Sequence, residues 1–130
     1  MRVFATKWFA RFARNEGIGD GRLCEAITRA ERGSIDADLG GNLIKQRVAR
    51  TGGGRSGGYR TLIAYHAAQR SVFVYGFAKN ERDNIGAREL ADLKKLAQKF
   101  LSLSDAEIDK ALNANEMKEL FCHDQEEKKD

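Results

Sequence analysis

The spacing of apolar residues changes along the chain from a helical period to an alternating one. Across residues 7–16 apolar side chains recur every three or four positions, which predicts a helix with one apolar face. Thr6 is the expected N-cap of this helix, and Gly17 is the residue expected to end it. A second helix follows Asp20, and a short apolar run at residues 2–5 predicts a strand ahead of both helices. The predicted core face of the first helix consists of Trp8, Phe9, Phe12 and Ala13.

The middle of the chain holds three apolar runs that are rich in Val, Ile, Tyr and Phe, a composition typical of strands. A glycine-rich loop joins the first run to the second, and the short stretch AlaAlaGlnArg joins the second to the third. Connections of this length predict an antiparallel meander. The three runs span residues 43–49, 59–66 and 71–78.

The turn between the last two strands sets the predicted register of the sheet. If residues 67–70 form the turn, His66 faces Ser71, and Arg60 then lies opposite Phe77. Which side chains share a face stays open, because a one-residue slip across the glycine loop inverts the answer. The register gathers five cations at one end of the sheet: Arg47, Arg50, Arg60, Lys79 and Arg82.

A helical period returns toward the C-terminal end of the chain. Gly86 is the expected N-cap of a third helix, and Glu89 occupies its capping-box position. The residues SerAspAlaGlu at 104–107 predict a short fourth helix. Beyond Asn113 we expect the chain to fray into a charged tail.

These elements predict the α+β fold class, with a mostly antiparallel sheet of about four strands and with N-terminal helices and a C-terminal helix packed on it. We expect the domain to span residues 1–103, and residues 104–130 to hold the short helix and an acidic tail. A chain of 130 residues is accounted for by one such domain. No apolar run approaches the length that spans a bilayer, so we expect a cytoplasmic protein.

Charge is distributed unevenly along the chain. Between residues 40 and 82, eight Lys or Arg stand against Glu81 alone, a net charge of +7. Between residues 104 and 130, four Lys stand against nine Asp or Glu, a net charge of −5. A basic middle of this kind predicts a face that binds a polyanion, and nucleic acid is the commonest polyanion.

The glycine-rich loop lies within the basic segment. Five glycines fall within residues 52–58, where backbone without Cβ atoms can approach a ligand closely. Arg50, Arg55 and Arg60 surround the loop with charge, so we expect an anion to bind there. A solvated hairpin loop is the other interpretation. A dinucleotide-binding loop is disfavoured, because its GxGxxG pattern must open a helix and a strand follows here.

Other candidate groups are weaker. Asp36 and Asp38 are two positions apart in a predicted connector over residues 35–41, where carboxylates converge only by accident. Cys24 is expected to be a core residue and Cys122 a thiol of the tail. With only two histidines in the chain, these cysteines have no metal-ligand spacing.

Converging cations without an acid cluster suit phosphate chemistry. They can hold a phosphate and stabilise the charge that develops during in-line attack, as in RNA cleavage by the 2′-hydroxyl. His66 is a poor proton shuttle because it lies about 20 Å along the strand from Arg60. A lysine among other cations can act as the base instead, which makes Lys45 and Lys79 the candidates. A nucleic-acid-binding surface without chemistry fits the same charges.

Three stretches of sequence carry a family resemblance: IleLysGlnArgVal at 44–48, SerGlyGlyTyrArg at 56–60, and PheValTyrGlyPheAlaLysAsnGluArg at 73–82. With the predicted order of elements, they resemble the RelE/HigB type of bacterial toxin, in the phage-associated branch of the RelE/ParE superfamily. The resemblance covers roughly residues 1–101. It implies a ribosome-dependent endonuclease that cuts mRNA by 2′-hydroxyl attack, needs no metal or other cofactor, and is held inactive by a cognate antitoxin.

The resemblance also implies roles for particular residues. Lys45 and Arg47 fall where the family has a basic pair, and Arg60 falls where it has an arginine that contacts the phosphate. Lys79 and Arg82 lie in the family's basic run after the last strand of the meander. We therefore expect these five residues to be catalytic. The residues expected to bind RNA are Arg50, Arg55, Tyr59 and Asn80.

Two positions depart from the family pattern. Asn80 stands where the family has an arginine, and Gly86 stands where it has a tyrosine that stacks on the base. Members of the ParE type poison DNA gyrase and cleave nothing. A gyrase poison and a non-catalytic nucleic-acid-binding module are therefore the two alternative functions.

Overall fold

A computed structural model describes residues 1–50, 58–82 and 84–122. The elements follow one another as β1 Arg2–Thr6, α1 Lys7–Glu16, α2 Asp20–Glu31, β2 Ala37–Asp38, β3 Leu43–Val48, β4 Tyr59–His66, β5 Arg70–Ala78, α3 Ala87–Ser102, α4 Asp105–Asn113 and β6 Met117–Leu120.

The described strands form a single sheet in the order β2-β3-β4-β5-β1-β6. Strands β3, β4 and β5 make the predicted antiparallel meander, β1 joins β5 in parallel, and β6 is antiparallel to β1. The α+β class with a mostly antiparallel sheet is confirmed. Two short edge strands, β2 and β6, make it a sheet of six strands in the described part of the chain, where about four were expected.

Helices cover both faces of the sheet, so the core is divided in two. On the first face α1 and α2 pack on the sheet, burying side chains such as Phe9 and Leu23 against Ile63. On the second face α3 and α4 bury side chains such as Leu93 and Ile108 against the sheet. We call these the α1–α2 face and the α3–α4 face. Because both are covered, the central strands are apolar on both sides, as their sequences indicated.

The predicted helix ends are confirmed where they can be compared. The Thr6 hydroxyl accepts a hydrogen bond of 3.1 Å from the Phe9 N–H and so caps α1. Gly17 ends α1 with a φ of 72°, a left-handed conformation that favours glycine. Gly86 is the N-cap of α3, and Ser104 forms a complete capping box with Glu107 at the start of α4.

The predicted turn between β4 and β5 is wrong by one residue, yet the predicted pairing at the other end of the hairpin is confirmed. His66 lies opposite Arg70 instead of Ser71, because the turn is shorter and Ala68 adopts a left-handed φ of 65°. An irregularity between Leu62 and Ile63 then shifts the register. As a result Arg60 does lie opposite Phe77.

The expectation that the chain frays beyond Asn113 is wrong for residues 117–120. These residues form β6, which pairs with β1 and buries Met117 and Leu120. The charged residues between them are the reason that the sequence pattern resembled a tail. The division of the chain at residue 103 stays a prediction, and the last part of the predicted acidic tail, residues 123–130, lies outside the described residues.

Cys24 and Cys122 form a disulfide, so the expectation of two separate thiols is wrong. Their Cα atoms are 5.4 Å apart although 98 positions separate them in the sequence. The bond joins α2 to the residues just after β6, which the pairing of β6 with β1 brings to the α1–α2 side of the sheet.

Trp8 departs from the predicted core face of α1. Phe9 and Ala13 are buried as expected and Phe12 is half-buried, but the Trp8 residue is 46% exposed. Its ring stacks on Phe12 and on Tyr75 of β5. Trp8 therefore lies at the rim of the core, beside the end of β5 that carries the basic residues.

Gly76 permits the close packing of α1 on β5. A Cβ atom at this position would come within 2.7 Å of Phe12 Cε2 and 3.0 Å of Phe9 Cε1. We expect Gly76→Ala to lower the free energy of unfolding by about 1–3 kcal/mol, because a ring of α1 must move. Phe12→Leu in the same chain should recover part of this loss. Urea denaturation of the single and double variants tests the coupling, and strictly additive losses would contradict it.

The disulfide closes a long loop of the unfolded chain. We expect Cys122→Ser to lower the free energy of unfolding by about 2–4 kcal/mol, because the unfolded state gains conformational freedom. Denaturation of the oxidised protein, the reduced protein and the variant measures the effect. Reduction should lower the stability of the wild type to about that of Cys122→Ser and leave the variant unchanged. Equal stability of oxidised and reduced wild type would show that the bond contributes nothing.

Candidate nucleic-acid interface

Three of the predicted basic residues share the α3–α4 face. Leu43 begins β3 and is buried in the α3–α4 core, so the alternation of a strand puts Lys45 and Arg47 on the same face. Arg60 of β4 lies directly opposite Arg47. Directly opposed residues of antiparallel strands lie on one face of the sheet. The question of faces that the sequence left open therefore has an answer for these three side chains.

Arg60 occupies the centre of this group. It is half-buried, with Arg47 on one side in β3 and Phe77 on the other side in β5. Two cations directly opposite each other in a sheet repel, so the arrangement favours an anion near them. A partly buried guanidinium also interacts more strongly with such an anion than a fully solvated one would.

Asp36 braces Arg47. Its Oδ2 accepts a hydrogen bond of 2.7 Å from the Arg47 N–H and one of 3.2 Å from Arg29 Nη1, and its Oδ1 lies 3.4 Å from Arg47 Nη2. Arg29 also donates to the Arg47 carbonyl. Burial alone would raise the pKa of Asp36, but the hydrogen bonds from Arg47 and Arg29 lower it below its ordinary value. The carboxylate is thus a structural ion-pair partner, while Asp38 accepts from the Gly40 N–H in the adjacent turn.

Arg82 is held by a second carboxylate. Its Nη2 lies 2.7 Å from Glu89 Oε1, its Nε donates to the Asn84 carbonyl at 3.0 Å, and its guanidinium lies 5.3 Å from the centre of the Phe77 ring. The hydrogen bond from Arg82 lowers the pKa of Glu89. Because Phe77 lies opposite Arg60, this network fixes Arg82 one strand away from Arg60.

Tyr75 is the functional candidate that the sequence reasoning missed. Its hydroxyl accepts a hydrogen bond of 3.2 Å from Arg82 Nη1, and its ring stacks on Trp8 at 4.8 Å between centroids. Burial raises the pKa of Tyr75, and the neighbouring Glu89 raises it further. The only sequence signal was its position two residues before Phe77 in a strand that is apolar on both faces.

Lys79 and Asn80 follow β5 at the same end of the sheet and are exposed. The Lys79 N–H donates to the Gly58 carbonyl at 3.0 Å, which extends the β4–β5 pairing by one residue. Gly58 itself is required by close packing of backbone, since a Cβ atom there would lie 2.2 Å from the Val48 carbonyl oxygen. This glycine therefore serves the approach of β3 and β4 to each other.

Two expected RNA-binding residues lie on the other side of the sheet. Tyr59 is only 3% exposed, belongs to the α1–α2 core and donates its hydroxyl hydrogen to the Glu16 carbonyl at 3.3 Å. A ring buried in this way is not available to stack on a base, so the expected RNA contact of Tyr59 is not supported. Arg50 lies 5.3 Å from the Tyr59 ring and therefore does not join the cations of the α3–α4 face. Arg55 lies outside the described residues.

The geometry defines a class of protein: a small α+β domain whose sheet carries braced cations at one end, a site suited to a phosphodiester. The family model for the RelE toxin of the RelE/RelB toxin–antitoxin system matches residues 1–120. The chain belongs to this family and is a toxin of a toxin–antitoxin system, which implies an antitoxin partner. No match was found among the curated proteins or among the solved structures. None of the helices in the described ranges is long and apolar enough to cross a bilayer.

The ion pairs of Asp36 with Arg29 and Arg47 predict that stability depends on pH. Asp36→Asn should lower the free energy of unfolding at pH 7 by about 1–3 kcal/mol, because the side chain loses charge-assisted hydrogen bonds to Arg29 and Arg47. The folded-state pKa of Asp36 lies below its unfolded value of about 4, so its contribution is complete above that value and is lost as the pH falls through the folded value. The difference in the free energy of unfolding between wild type and Asp36→Asn should therefore stay constant from pH 7 to about 5 and become smaller at lower pH.

Chemical denaturation across this pH range measures this difference in the free energy of unfolding. Asp38→Asn is the matched control, because that carboxylate accepts one hydrogen bond within a turn and should give a smaller difference at pH 7. If Asp36→Asn lowers the free energy of unfolding at pH 3 by as much as at pH 7, Asp36 does not act through its ion pairs.

Proposed function

We propose that the protein is a ribosome-dependent endonuclease that cuts mRNA by attack of the RNA's own 2′-hydroxyl on the adjacent phosphorus, without a metal ion. The proposal rests on one observation, the direct pairing of Arg47 with Arg60 next to Phe77, with Arg82 above that ring. We call the residues involved the cationic face. It consists of Lys45, Arg47, Arg60, Lys79 and Arg82.

The three arginines suit different parts of the task. Arg60 is central and half-buried, which suits it to contact the phosphate and to stabilise the charge that grows in the pentavalent transition state. Arg47 and Arg82 are held from the two sides by Asp36 and Glu89. Cations held in this way need little reorganisation when charge develops between them, and this lowers the barrier.

A base must take the proton of the 2′-hydroxyl. Lys45 and Lys79 are the candidates, since both carry an amine at the cationic face. Lys45 is half-buried on the same face as Arg47, while Lys79 is exposed at the end of the β4–β5 hairpin. RNA binding by the neighbouring Asn80 and by Arg55 belongs to the same proposal.

The mRNA of a bacterial host that expresses the protein tests the reaction type. Mapping of 5′ ends should reveal cuts inside translated regions, in phase with codons, because cleavage depends on the ribosome. Cuts that appear equally in untranslated RNA would contradict ribosome dependence. Double-strand DNA breaks without RNA cuts would instead identify a gyrase poison.

Arg60 is the residue on which the site assignment depends most. We expect Arg60→Ala to abolish growth inhibition and to slow cleavage about 10²–10³-fold, because a charged contact to the developing phosphorane is lost. Arg60→Met keeps most of the side-chain volume and should show the same loss. Arg32→Ala removes an exposed arginine at the end of α2 and should remain fully toxic. Circular dichroism checks the folding of each variant, and full toxicity of a folded Arg60→Met would refute the assignment.

A further inference from the structure

The side chain of Tyr75 meets protein on its ring and a cation at its hydroxyl. Trp8 stacks on the ring at 4.8 Å with an interplanar angle of 22°, and the Phe77 ring lies 6.3 Å away. These contacts fix the orientation of the ring. The part of Tyr75 that can do chemistry is therefore its hydroxyl group, which lies at the cationic face.

The hydroxyl is oriented by Arg82. Because Arg82 Nη1 donates to the Tyr75 oxygen at 3.2 Å, that oxygen is the acceptor and its own hydrogen remains able to donate. Arg82 cannot rotate freely, since Glu89 and the Asn84 carbonyl hold its other nitrogens. Glu89 also lies within hydrogen-bonding contact of the Tyr75 hydroxyl, and because a carboxylate can only accept, the hydroxyl hydrogen is directed to Glu89 until a substrate oxygen takes its place. Among residues 1–50, 58–82 and 84–122, the charged groups that face this hydroxyl are the Arg82 guanidinium and the Glu89 carboxylate, which form an ion pair with each other.

The hydroxyl also lies near the place proposed for the phosphate. Phe77 is the cross-strand partner of Arg60, and Tyr75 precedes Phe77 by two residues on β5. The Cα atoms of residues two apart in a strand are separated by about 6–7 Å. A phosphodiester bound at Arg60 therefore has Arg82 and the Tyr75 hydroxyl on its β5 side.

We propose that Tyr75 is a catalytic residue of this site and protonates the 5′-oxygen that leaves during RNA cleavage. The inference rests on the proposed nuclease function. As the 2′-oxygen bonds to phosphorus, the bond from phosphorus to the 5′-oxygen breaks, and the Tyr75 proton passes to that oxygen. The products are a 2′,3′-cyclic phosphate and a 5′-hydroxyl, and the proton of the 2′-hydroxyl goes to the base of the site.

The surroundings suit Tyr75 to this step. Tyrosine is protonated at neutral pH, so the hydroxyl holds its proton until the leaving oxygen develops charge. Burial raises the pKa of Tyr75, and the neighbouring Arg82 guanidinium acts in the opposite direction. The phenolate that forms has the Arg82 guanidinium as its hydrogen-bond donor, and water returns the proton afterwards. This hydroxyl belongs to β5, a different element from the position after the basic run where the family's tyrosine is replaced by Gly86.

Tyr75→Phe tests the proposal, because it removes the hydroxyl and keeps the ring on which Trp8 stacks. Two substrates separate proton donation from a positioning effect on Arg82. The first is a ribosome-bound mRNA with an ordinary linkage, and the second carries sulfur in place of the 5′-oxygen at the scissile phosphate. A thiolate leaves without being protonated, so loss of a general acid should not slow the second substrate.

In single-turnover cleavage on programmed ribosomes, we expect Tyr75→Phe to slow the ordinary substrate by about 10²–10³-fold, within the range of general acid catalysis. The sulfur substrate should be cleaved at nearly the wild-type rate. Arg60→Ala is the contrasting variant and should be slow on both substrates, because both pass through a charged phosphorane. Tyr65→Phe alters a tyrosine buried on the α1–α2 face and should leave both rates unchanged.

Each other outcome counts against the proposal. An equal loss on both substrates would mean that the hydroxyl only positions Arg82. An unchanged rate on the ordinary substrate would mean that it takes no part in the reaction. If the wild type cleaves neither substrate while the protein still arrests growth, the nuclease function itself is wrong and the role of Tyr75 falls with it.

Discussion

The register of β4 is the constraint on which the arrangement of the site depends. Thr61 donates its hydroxyl to the Gln46 carbonyl at 2.9 Å, and the buried Gln46 amide donates to the Ala26 carbonyl at 3.0 Å. A one-residue slip of β4 would break the hydrogen bond between Thr61 and Gln46, at a cost of about 1–3 kcal/mol for each polar group left without a partner. It would also carry Arg60 to the α1–α2 core. The polar contacts on one face thus keep Arg60 opposite Arg47 on the other.

Carboxylates hold the cations in place at the two sides of the cationic face. Asp36 is fixed by Arg29 as well as by Arg47, so it anchors β3 to α2 and limits the movement of the Arg47 side chain. Glu89 does the same for Arg82 and couples the first turn of α3 to the end of β5. Asp36 and Glu89 therefore act on the geometry of the cations, each as the ion-pair partner of one arginine.

Local patterns were sufficient to predict the helices and the meander, because periodicity, caps and short turns act over a few residues. The predicted pairing of Arg60 with Phe77 holds because the irregularity between Leu62 and Ile63 offsets the one-residue error in the turn. Contacts between distant parts of the chain were not predictable in this way. β6 has charged residues at its centre, and the disulfide of Cys24 depends on where β6 lies. For the site, the sequence placed Lys45 and Arg47 in one predicted strand, but the ion pairs of Asp36 depend on the packing of α2 on β3.

Tyr75 was not predicted for the same reason, because its contacts come from distant parts of the chain. In the sequence it is one aromatic residue among several in a strand that is apolar on both faces. The pairing of β1 with β5 ends at Ala5 and Phe73, and the first turn of α1 then brings Trp8 against the Tyr75 ring. The shift of register within the β4–β5 hairpin and the turn after β5 then bring Arg82 to its hydroxyl. These packing contacts orient the Tyr75 hydroxyl from within the sheet.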